Sequence, residues 1–481
     1  MGITSVKITN AGCPASCAYC YEKLLRDQGF EKGFNLDKVI KQMEDEYKDG
    51  GCGGVPYLHG GEALMAGHDT VRKLLRKSWE LSGSSSIQTY GTLIDDEYVK
   101  LFKKYKTHVG SSVDGPWPLN KLRAIKGQKG EEVTEKLMQI IVRLRNEGIS
   151  TSVICVLHRA NALPEHLPKL KEWLLWLKSI GISGGRLNLM NSDHNGKEWE
   201  LSEEEAEFAW RELFRFTMLE QDGLSWQPFH DAVSSVLGLE QGTCVFADCE
   251  YYRAKDEPVV FSDGSTGNCL KTAKDGKVYP RLEQDYRPNV PGFGLVRYQV
   301  LPLIDQEAGG CKGCEYWMNC RGGCPAEGYE GDWRNKSRFC KALYGLFQEA
   351  DQIVRRLMPN VVTTSSHVAS FPNGNTVIGM LPTAFARMDR NQVDRPSTWR
   401  GNKFVKPMGQ APVRKEAAAT SEDGWISEIE HIDGELRHLD SDNGRPQQQE
   451  TKKTGDGWVS DIEHIDGDLR HLDSDKPKGA K

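Results

Sequence analysis

Three cysteines near the start of the chain have the residue type and the spacing to hold an iron–sulfur cluster. Cys13, Cys17 and Cys20 follow the pattern C-x3-C-x2-C, which places three thiolates on one short loop. A tetrahedral zinc site, or a cluster held entirely by protein, needs four ligands. A cubane cluster on this loop therefore keeps one iron open, and an open iron can bind and activate a small molecule. A zinc ion that takes a fourth ligand such as His59 is the alternative.

A second candidate site is a glycine turn at the end of an apolar stretch. Residues 55–59 are strand-like and lead into Gly60, Gly61 and Glu62. Glycine lets the backbone approach a ligand closely, and a carboxylate can accept hydrogen bonds from an ammonium group. An ordinary turn is the alternative, because Gly-Gly-Glu by itself is a weak signal.

The two motifs together resemble the radical S-adenosylmethionine (radical SAM) superfamily. Its signature is C-x3-C-x2-C with an aromatic residue before the last cysteine, here Tyr19. The resemblance implies that Cys13, Cys17 and Cys20 hold a catalytic 4Fe–4S cluster and that S-adenosylmethionine binds its open iron. It also implies that a 5′-deoxyadenosyl radical abstracts hydrogen from the substrate, and that the glycine turn grips the amino group of the cofactor.

Two further segments resemble parts of the same family. Residues 87–93 resemble its third-strand segment, and residues 110–116 resemble its fourth-strand segment. The resemblance implies that Gln88 and Ser112 contact S-adenosylmethionine. Tyr90 stands where the family usually has Asn, which puts one polar contact in doubt. Plain strand-to-turn exits are the alternative, because Asp-Gly-Pro is common turn chemistry.

The first 225 residues alternate between strand-like and helix-like patterns. Strands are predicted near 6–8, 55–59, 86–89, 109–113, 152–157 and 186–190, and helices at 35–49, 69–82, 95–105, 131–147, 164–180 and 202–219. Such an α/β alternation predicts a parallel sheet that closes as a partial (β/α)6 TIM-like barrel, with its active site at the carboxyl ends of the strands. We expect this radical SAM core to span 1–225.

A cysteine-rich domain is expected at 226–358. Eight cysteines lie between 244 and 340, enough for two four-ligand sites. The pattern resembles the SPASM domain of peptide-modifying radical SAM enzymes. That resemblance implies one auxiliary cluster on Cys244, Cys249, Cys269 and Cys324, and another on Cys311, Cys314, Cys320 and Cys340. The expected cofactors are then three 4Fe–4S clusters and S-adenosylmethionine. Two structural zinc ions are the alternative.

The SPASM resemblance implies oxidative modification of a peptide or protein substrate. An auxiliary cluster would accept the electron that the substrate radical loses, and an external donor such as flavodoxin or ferredoxin would reduce the catalytic cluster. Formylglycine synthesis and thioether formation on a separate protein are the rival chemistries. Sulfatase maturases carry an Asp base directly after the cysteine equivalent to Cys269. Here Leu270 occupies that position, which weakens the hypothesis of formylglycine synthesis.

The remaining chain is predicted to be a linker or extension, 359–422, followed by two repeats. Residues 423–442 and 456–475 match at 17 of 20 positions. Each copy has three triplets in which an aromatic or imidazole residue stands two places before Ser or Asp. In the first copy the paired residues are Trp425 and Ser427, His431 and Asp433, and His438 and Asp440. In the second copy they are Trp458 and Ser460, His464 and Asp466, and His471 and Asp473.

These triplets resemble the substrates of cyclophane-forming (triceptide) maturases. The resemblance implies a bond from a ring carbon to the β-carbon two residues on, in a substrate fused to its own enzyme. An amphipathic docking helix and a metal-binding segment are the alternatives, since the apolar residues also fit a helical stripe. The alternative hypothesis without enzyme activity is a metal-stabilised scaffold that presents two docking helices.

Charge and hydropathy limit the partners. The chain has 62 basic and 68 acidic side chains, a net charge of −6, so no strongly basic field favours nucleic acid. No apolar run is long enough to span a bilayer. Thirteen cysteines without a signal peptide favour metal ligands over disulfides, and we expect a cytoplasmic protein.

Overall fold

The computed structural model describes residues 7–9, 12–20, 22–23, 35–48, 55–191, 196–221, 223–239, 243, 259–267, 271, 297 and 300–365. All of them belong to the unit Met1–Lys406. Cys244, Cys249, Cys269 and both repeats lie outside the described residues. The domain boundaries at 225, 358 and 422 stay predictions.

The residues predicted to be modified all belong to the repeats, so they too lie outside the described residues. They are Trp425, Ser427, His431, Asp433, His438, Asp440, Trp458, Ser460, His464, Asp466, His471 and Asp473. Their role as crosslinked positions therefore stays a prediction from the sequence.

The predicted parallel sheet with helices between its strands is confirmed. The strands are β1 (Lys7–Thr9), β2 (Tyr57–Leu58), β3 (Ser85–Thr89), β4 (Thr107–Ser112), β5 (Thr151–Leu157), β6 (Gly184–Leu189), β7 (Ser225–Gln227), β8 (Val259–Phe261) and β9 (Thr266–Gly267). In the described part of the chain they form one sheet in the order β7-β6-β5-β4-β3-β2-β1-β8-β9. Every neighbouring pair is parallel except β8 with β9. Seven parallel strands in chain order give the partial barrel, and β8 and β9 extend its first edge.

The six predicted helices are present, with ends shifted by a few residues. They are α1 (Leu36–Lys48), α2 (His68–Ser82), α3 (Asp96–Lys104), α4 (Gly130–Asn146), α5 (Leu167–Ser179) and α6 (Glu203–Arg215). The described residues contain three more that were not predicted, α7 (Phe229–Val236), α8 (Trp317–Cys320) and α9 (Cys340–Leu357). Local caps define several ends. Asp95 accepts a hydrogen bond from the Tyr98 amide at the start of α3, and Ser202 and Glu205 form a capping box at α6.

The two faces of the sheet differ in character. On β5, Val153, Cys155 and Leu157 are fully buried against the outer helices, while the alternating residues Ser152 and Val156 are only partly buried. Successive strand residues point to opposite faces. A parallel sheet covered on both sides is usually buried and apolar throughout, so an inner face that is only partly buried and carries polar residues such as Ser152 indicates a lumen.

The apolar core lies between the sheet and its helices. One cluster joins β5–β7 with α4–α7 and α9, and another joins β2–β4 with α1–α3. Helix α9 packs along α6 and α7, where Glu349 pairs with Arg211 and Arg215. Cys340, the first residue of α9, is thereby fixed to the barrel. Within the described ranges, no helix has both the length and the apolar character that crossing a lipid bilayer requires.

Leu174→Ala tests the outer core. Leu174 in α5 is fully buried, so its truncation should lower the free energy of unfolding by about 2–5 kcal/mol. Leu175→Ala is the matched control, because the same substitution one residue later removes a side chain that is 37% exposed. Urea denaturation followed by circular dichroism measures both. Equal losses in the two variants would contradict the placement of this core.

Candidate active site at the carboxyl ends of the strands

The cysteine loop follows β1 and is fastened to the segment after β4. The Ser16 amide donates to the Ala124 carbonyl at 2.7 Å, and the Ala18 amide donates to the Leu122 carbonyl at 3.0 Å. Ala15 forms an isolated antiparallel bridge with Ile125. The loop is therefore held as a short strand-like edge, with Cys13, Cys17 and Cys20 each partly buried.

The surroundings of these thiols suit a cationic cluster. Burial raises the pKa of Cys13 to about 12; the Ala15 amide opposes this, and Glu62, Cys17 and Cys20 add to it. Metal ligation needs thiolates. Bringing several negative sulfurs together beside a buried carboxylate is unfavourable unless positive charge joins them. Iron provides that charge, so the donor set fits the predicted cluster.

The glycine turn is tied to the cysteine loop by two hydrogen bonds from its backbone. The Glu62 amide donates to the Gly12 carbonyl at 2.6 Å, and the Gly61 amide donates to the Glu22 carboxylate. Gly60 and Gly61 have φ of 89° and 54°, in the left-handed region that glycine adopts without strain. The structure thus brings the two sequence motifs together. Glu22 was not singled out from the sequence. The one indication in the sequence was an acidic residue two positions after the last cysteine of the loop.

Glu62 is turned into the protein. Its carboxylate is fully buried and accepts hydrogen bonds from the Leu64 amide at 3.1 Å, the Thr89 hydroxyl at 2.8 Å and the Tyr90 amide at 2.7 Å. Burial raises its pKa, although these donors oppose the shift. An ionised carboxylate offers about four acceptor positions, so most are already used. Its contact with the cofactor's amino group stays a prediction, whereas its role in joining the turn to β3 is observed.

Asp114, shortly after β4, is the centre of a buried polar network. Its carboxylate accepts from the Tyr19 hydroxyl and from the Val156 amide at 2.8 Å. It pairs with Arg123 Nε at 3.0 Å and lies 3.4 Å from His158 Nε2. The Arg123 guanidinium also lies 5.3 Å from the centroid of the Tyr19 ring. One carboxylate thus connects the cysteine loop, β5 and the segment that fastens the loop.

The electrostatics keep Asp114 ionised. Burial by itself raises its pKa, but the Arg123 guanidinium, together with His158 and the Tyr19 hydroxyl, holds that pKa below the usual value. Arg123 is only 8% exposed and Asp114 is fully buried, so the pair is shielded from solvent. Sequence reasoning treated residues 110–116 as a cofactor segment or a turn and missed this network.

Gln88 and Ser112 lie together on the inner face of the sheet. Gln88 Nε2 donates to Ser112 Oγ at 2.7 Å across β3 and β4. Gly110 makes room for this contact, because a Cβ there would lie 2.1 Å from Gln88 Oε1. Their contact with S-adenosylmethionine stays a prediction. Tyr90 is buried and donates its hydroxyl to the Arg123 carbonyl at 2.7 Å.

Four cysteines of the second group surround one cavity. Cys311, Cys314, Cys320 and Cys340 line this cavity together with Tyr316, Trp317 and Tyr344. Burial, together with the neighbouring cysteines, raises the pKa of Cys311 to about 12 and of Cys314 to about 11. Among the described residues, no three His, Cys, Asp or Glu side chains are arranged to hold a single metal ion. Cys324 is partly buried, and the rest of its predicted ligand set lies outside the described residues.

Comparison with known proteins gives consistent results. Residues 8–173 match the Radical SAM superfamily. The serine-type anaerobic sulfatase-maturating enzyme of Bacteroides thetaiotaomicron is 25% identical over 71% of this chain and 88% of that protein. The cysteine-type enzyme of Clostridium novyi is 22% identical over 72% of this chain and 94% of its own. The solved structure of native anSMEcpe with bound AdoMet and Cp18Cys peptide has a TM-score of 0.59 at 21% identity, and covers 74% of this chain and 99% of that chain.

These findings confirm the predicted class. Residues 8–173 form a radical SAM domain on a partial barrel, and the structural likeness shows that fold. The chain therefore contains a radical SAM domain, and domains of this superfamily use S-adenosylmethionine with a 4Fe–4S cluster.

Asp114→Asn should loosen the cysteine loop. The variant leaves Arg123 as an uncompensated buried charge, so the free energy of unfolding should fall by about 3–5 kcal/mol. Combining Asp114→Asn with Arg123→Met removes that charge as well and should recover part of the loss. Urea denaturation measures all three proteins, with Asp96→Asn, which breaks an exposed pair with Arg143, as the control expected to change little.

The pH dependence provides a second readout. Because folding lowers the pKa of Asp114, its contribution is present above its unfolded value of about 3.9 and is lost as the pH falls through the folded value. The stabilities of wild type and Asp114→Asn should therefore converge in acid. A gap that stayed constant down to the acid transition would show that Asp114 is not an ionised partner.

Proposed function

We propose that this chain is a radical SAM maturase that modifies the side chains of peptide or protein substrates. The observation that carries the proposal is the cysteine loop joined by hydrogen bonds to the Gly60–Gly61–Glu62 turn inside a matched radical SAM domain. The sulfatase-maturating relatives act on proteins by name, and the chain covers most of their length.

Different residues of the site would have different roles. Cys13, Cys17 and Cys20 would hold the catalytic cluster, and the backbone of Gly60 and Gly61 would meet the cofactor. When bound, the cluster and S-adenosylmethionine supply a carbon radical that abstracts a hydrogen atom. The Asp114 network keeps Tyr19 and the loop in place, and it excludes water because Asp114, Arg123 and His158 are almost fully buried.

The second cysteine group would hold an auxiliary cluster. Cys311, Cys314, Cys320 and Cys340 surround a cavity, and within the described ranges they do not converge on a single point. A zinc ion needs its thiolates at about 2.3 Å, whereas a cubane takes one cysteine on each of its irons. Four cysteines around one cavity match the number of ligands that a cubane takes, and this supports the proposal of a cluster here. A third cluster on Cys244, Cys249, Cys269 and Cys324 is proposed from the sequence alone.

The finer proposal is carbon–carbon crosslinking within the chain's own repeats. Three triplets recur in each copy, and neither repeat contains cysteine, which excludes a thioether formed within a repeat. Each crosslink breaks two C–H bonds and forms one C–C bond. One hydrogen atom leaves on 5′-deoxyadenosine, and the other leaves as a proton plus an electron. The auxiliary cysteines would hold the acceptor of that electron, and a flavodoxin- or ferredoxin-type donor would begin each cycle.

The proposed bonds join each ring to the β-carbon of the third residue of its triplet. Ser427 and Ser460 would be the partners of the two tryptophans. Asp433, Asp440, Asp466 and Asp473 would be the partners of the four histidines. Both residue types carry a β-CH2 group, which supplies the hydrogen atom that the radical removes.

Formylglycine synthesis on a separate protein is the second candidate. It is favoured by the relatives, which are sulfatase-maturating enzymes by name and match along most of their length. Leu270 at the position of the expected base argues against it.

The activity is tested by anaerobic incubation of the full chain with S-adenosylmethionine and reductant. We expect 5′-deoxyadenosine to form and each crosslinked repeat to lose two hydrogen atoms per crosslink, as read by tandem mass spectrometry. Cys17→Ala should lose both signals. Cofactor cleavage with an unmodified tail would refute the crosslinking proposal but not the maturase class. A sulfatase peptide added in the same assay decides the second candidate.

Cys320→Ser tests the auxiliary cluster. Anaerobically purified Cys320→Ser should contain fewer iron atoms than wild type, by up to about four, because three thiolates at this cavity hold a cubane less tightly than four. Cys155→Ser is the matched control, since Cys155 is fully buried in the outer core. Unchanged iron in Cys320→Ser, or zinc without iron in wild type, would contradict a cluster at this cavity.

A further inference from the structure

Arg186 lies on the inner face of the barrel at the level of the predicted cofactor contacts. Its neighbours on β6, Leu187 and Leu189, pack into the outer core, so Arg186 and Leu187 point to opposite faces. Strand register places Ser112 beside Ile154, Ile154 beside Arg186, and Arg186 beside Gln227. Two strand spacings therefore separate Arg186 from Ser112, about 10 Å across the same face.

The guanidinium is held in place, and none of the described carboxylates neutralises it. Arg186 Nε donates to Gln227 Oε1 at 2.9 Å, and Gln227 Nε2 donates to the buried Asp231 at 3.1 Å. Within the described ranges, no carboxylate forms an ion pair with Arg186, in contrast to Arg123 and Arg211. A partly buried guanidinium with its terminal nitrogens available suits a planar anion, which it binds through two parallel hydrogen bonds.

The repeats provide carboxylates at defined positions. Each copy contains seven Asp or Glu residues against one Arg. Two of the three triplets in each copy end in Asp, while the third ends in Ser. A carboxylate at the second reacting residue is thus a regular feature of the sequence expected to enter this lumen.

We propose that Arg186 binds the Asp carboxylate of the His-x-Asp triplets and makes the enzyme selective for acidic peptide substrates. The inference rests on the proposed function, since it assigns a substrate-binding residue to the same site. Gln227 is the positioning residue that orients the guanidinium. The Trp-x-Ser triplets, which end at Ser427 and Ser460, have no carboxylate at this position and gain nothing from Arg186.

The test compares two triplet types in one molecule. In full-length Arg186→Gln, crosslinking of the four His-x-Asp triplets should slow about tenfold to hundredfold, the effect of losing a charge-assisted hydrogen-bonded pair. The two Trp-x-Ser triplets should slow by less than about threefold, because they lose no such pair. Arg186→Lys should recover part of the rate, because it keeps the charge but loses the bidentate geometry. Arg76→Gln, an exposed arginine on α2, is the control.

Substrate variants test the same pair without altering the barrel. Asp433→Asn and Asp440→Asn should slow their own triplets in wild type and add little in Arg186→Gln, because both changes remove one interaction. Asp466 and Asp473, left unchanged in the second repeat, provide the internal reference. Equal loss at both triplet types, or full additivity, would overturn the inference.

Binding distinguishes this inference from the proposed function. A dye-labelled peptide of residues 423–442 and its form with both Asp433→Asn and Asp440→Asn are titrated into full-length wild type and Arg186→Gln by fluorescence anisotropy. Wild type should prefer the acidic peptide, and Arg186→Gln should not. Preference without crosslinking would leave the inference standing while the crosslinking proposal fails. Crosslinking without preference would refute the role of Arg186 alone.

Discussion

The arrangement of the site depends on one buried charge. Placing the Asp114 carboxylate in the protein interior costs several kcal/mol in lost hydration, and only well-placed donors offset such a cost. Those partners come from different parts of the chain: the Tyr19 hydroxyl from the cysteine loop, the Val156 amide and His158 from β5 and its exit, and the Arg123 charge from the segment that fastens the loop. The contacts that compensate the Asp114 charge therefore also fix the position of the cysteine loop.

The two faces of the sheet have different roles, because the outer face is an apolar core and the inner face carries polar residues. The outer face is an ordinary apolar core, with Val153, Cys155 and Leu187 fully buried. The inner face carries polar residues that bond to one another, such as Gln88 with Ser112. A lumen lined in this way keeps its hydrogen-bonding groups satisfied and still offers donors to a ligand. Outer packing therefore provides stability while inner residues remain available for binding.

The second group of cysteines is anchored through a helix. Cys340 begins α9, and α9 packs on α6 and α7 with Glu349 bound by two arginines. A cluster at Cys311, Cys314, Cys320 and Cys340 would be connected to the barrel through this rigid element. The packing of α9 on α6 and α7 would then help to set the distance between such a cluster and the cysteine loop.

The spacing of residues along the sequence was sufficient to predict the cysteine loop, the glycine turn and the alternating strands and helices, and to identify the repeats. Each of these is a property of residues near one another along the chain, and the radical SAM class follows from them. Strand register and burial were decided only by the tertiary structure, because they depend on residues far apart in sequence. No local sequence pattern indicates that Glu62 accepts a hydrogen bond from Thr89. The same holds for the contacts of Asp114 with Tyr19, Arg123 and His158. It also holds for the register that places Arg186 two strands away from Ser112.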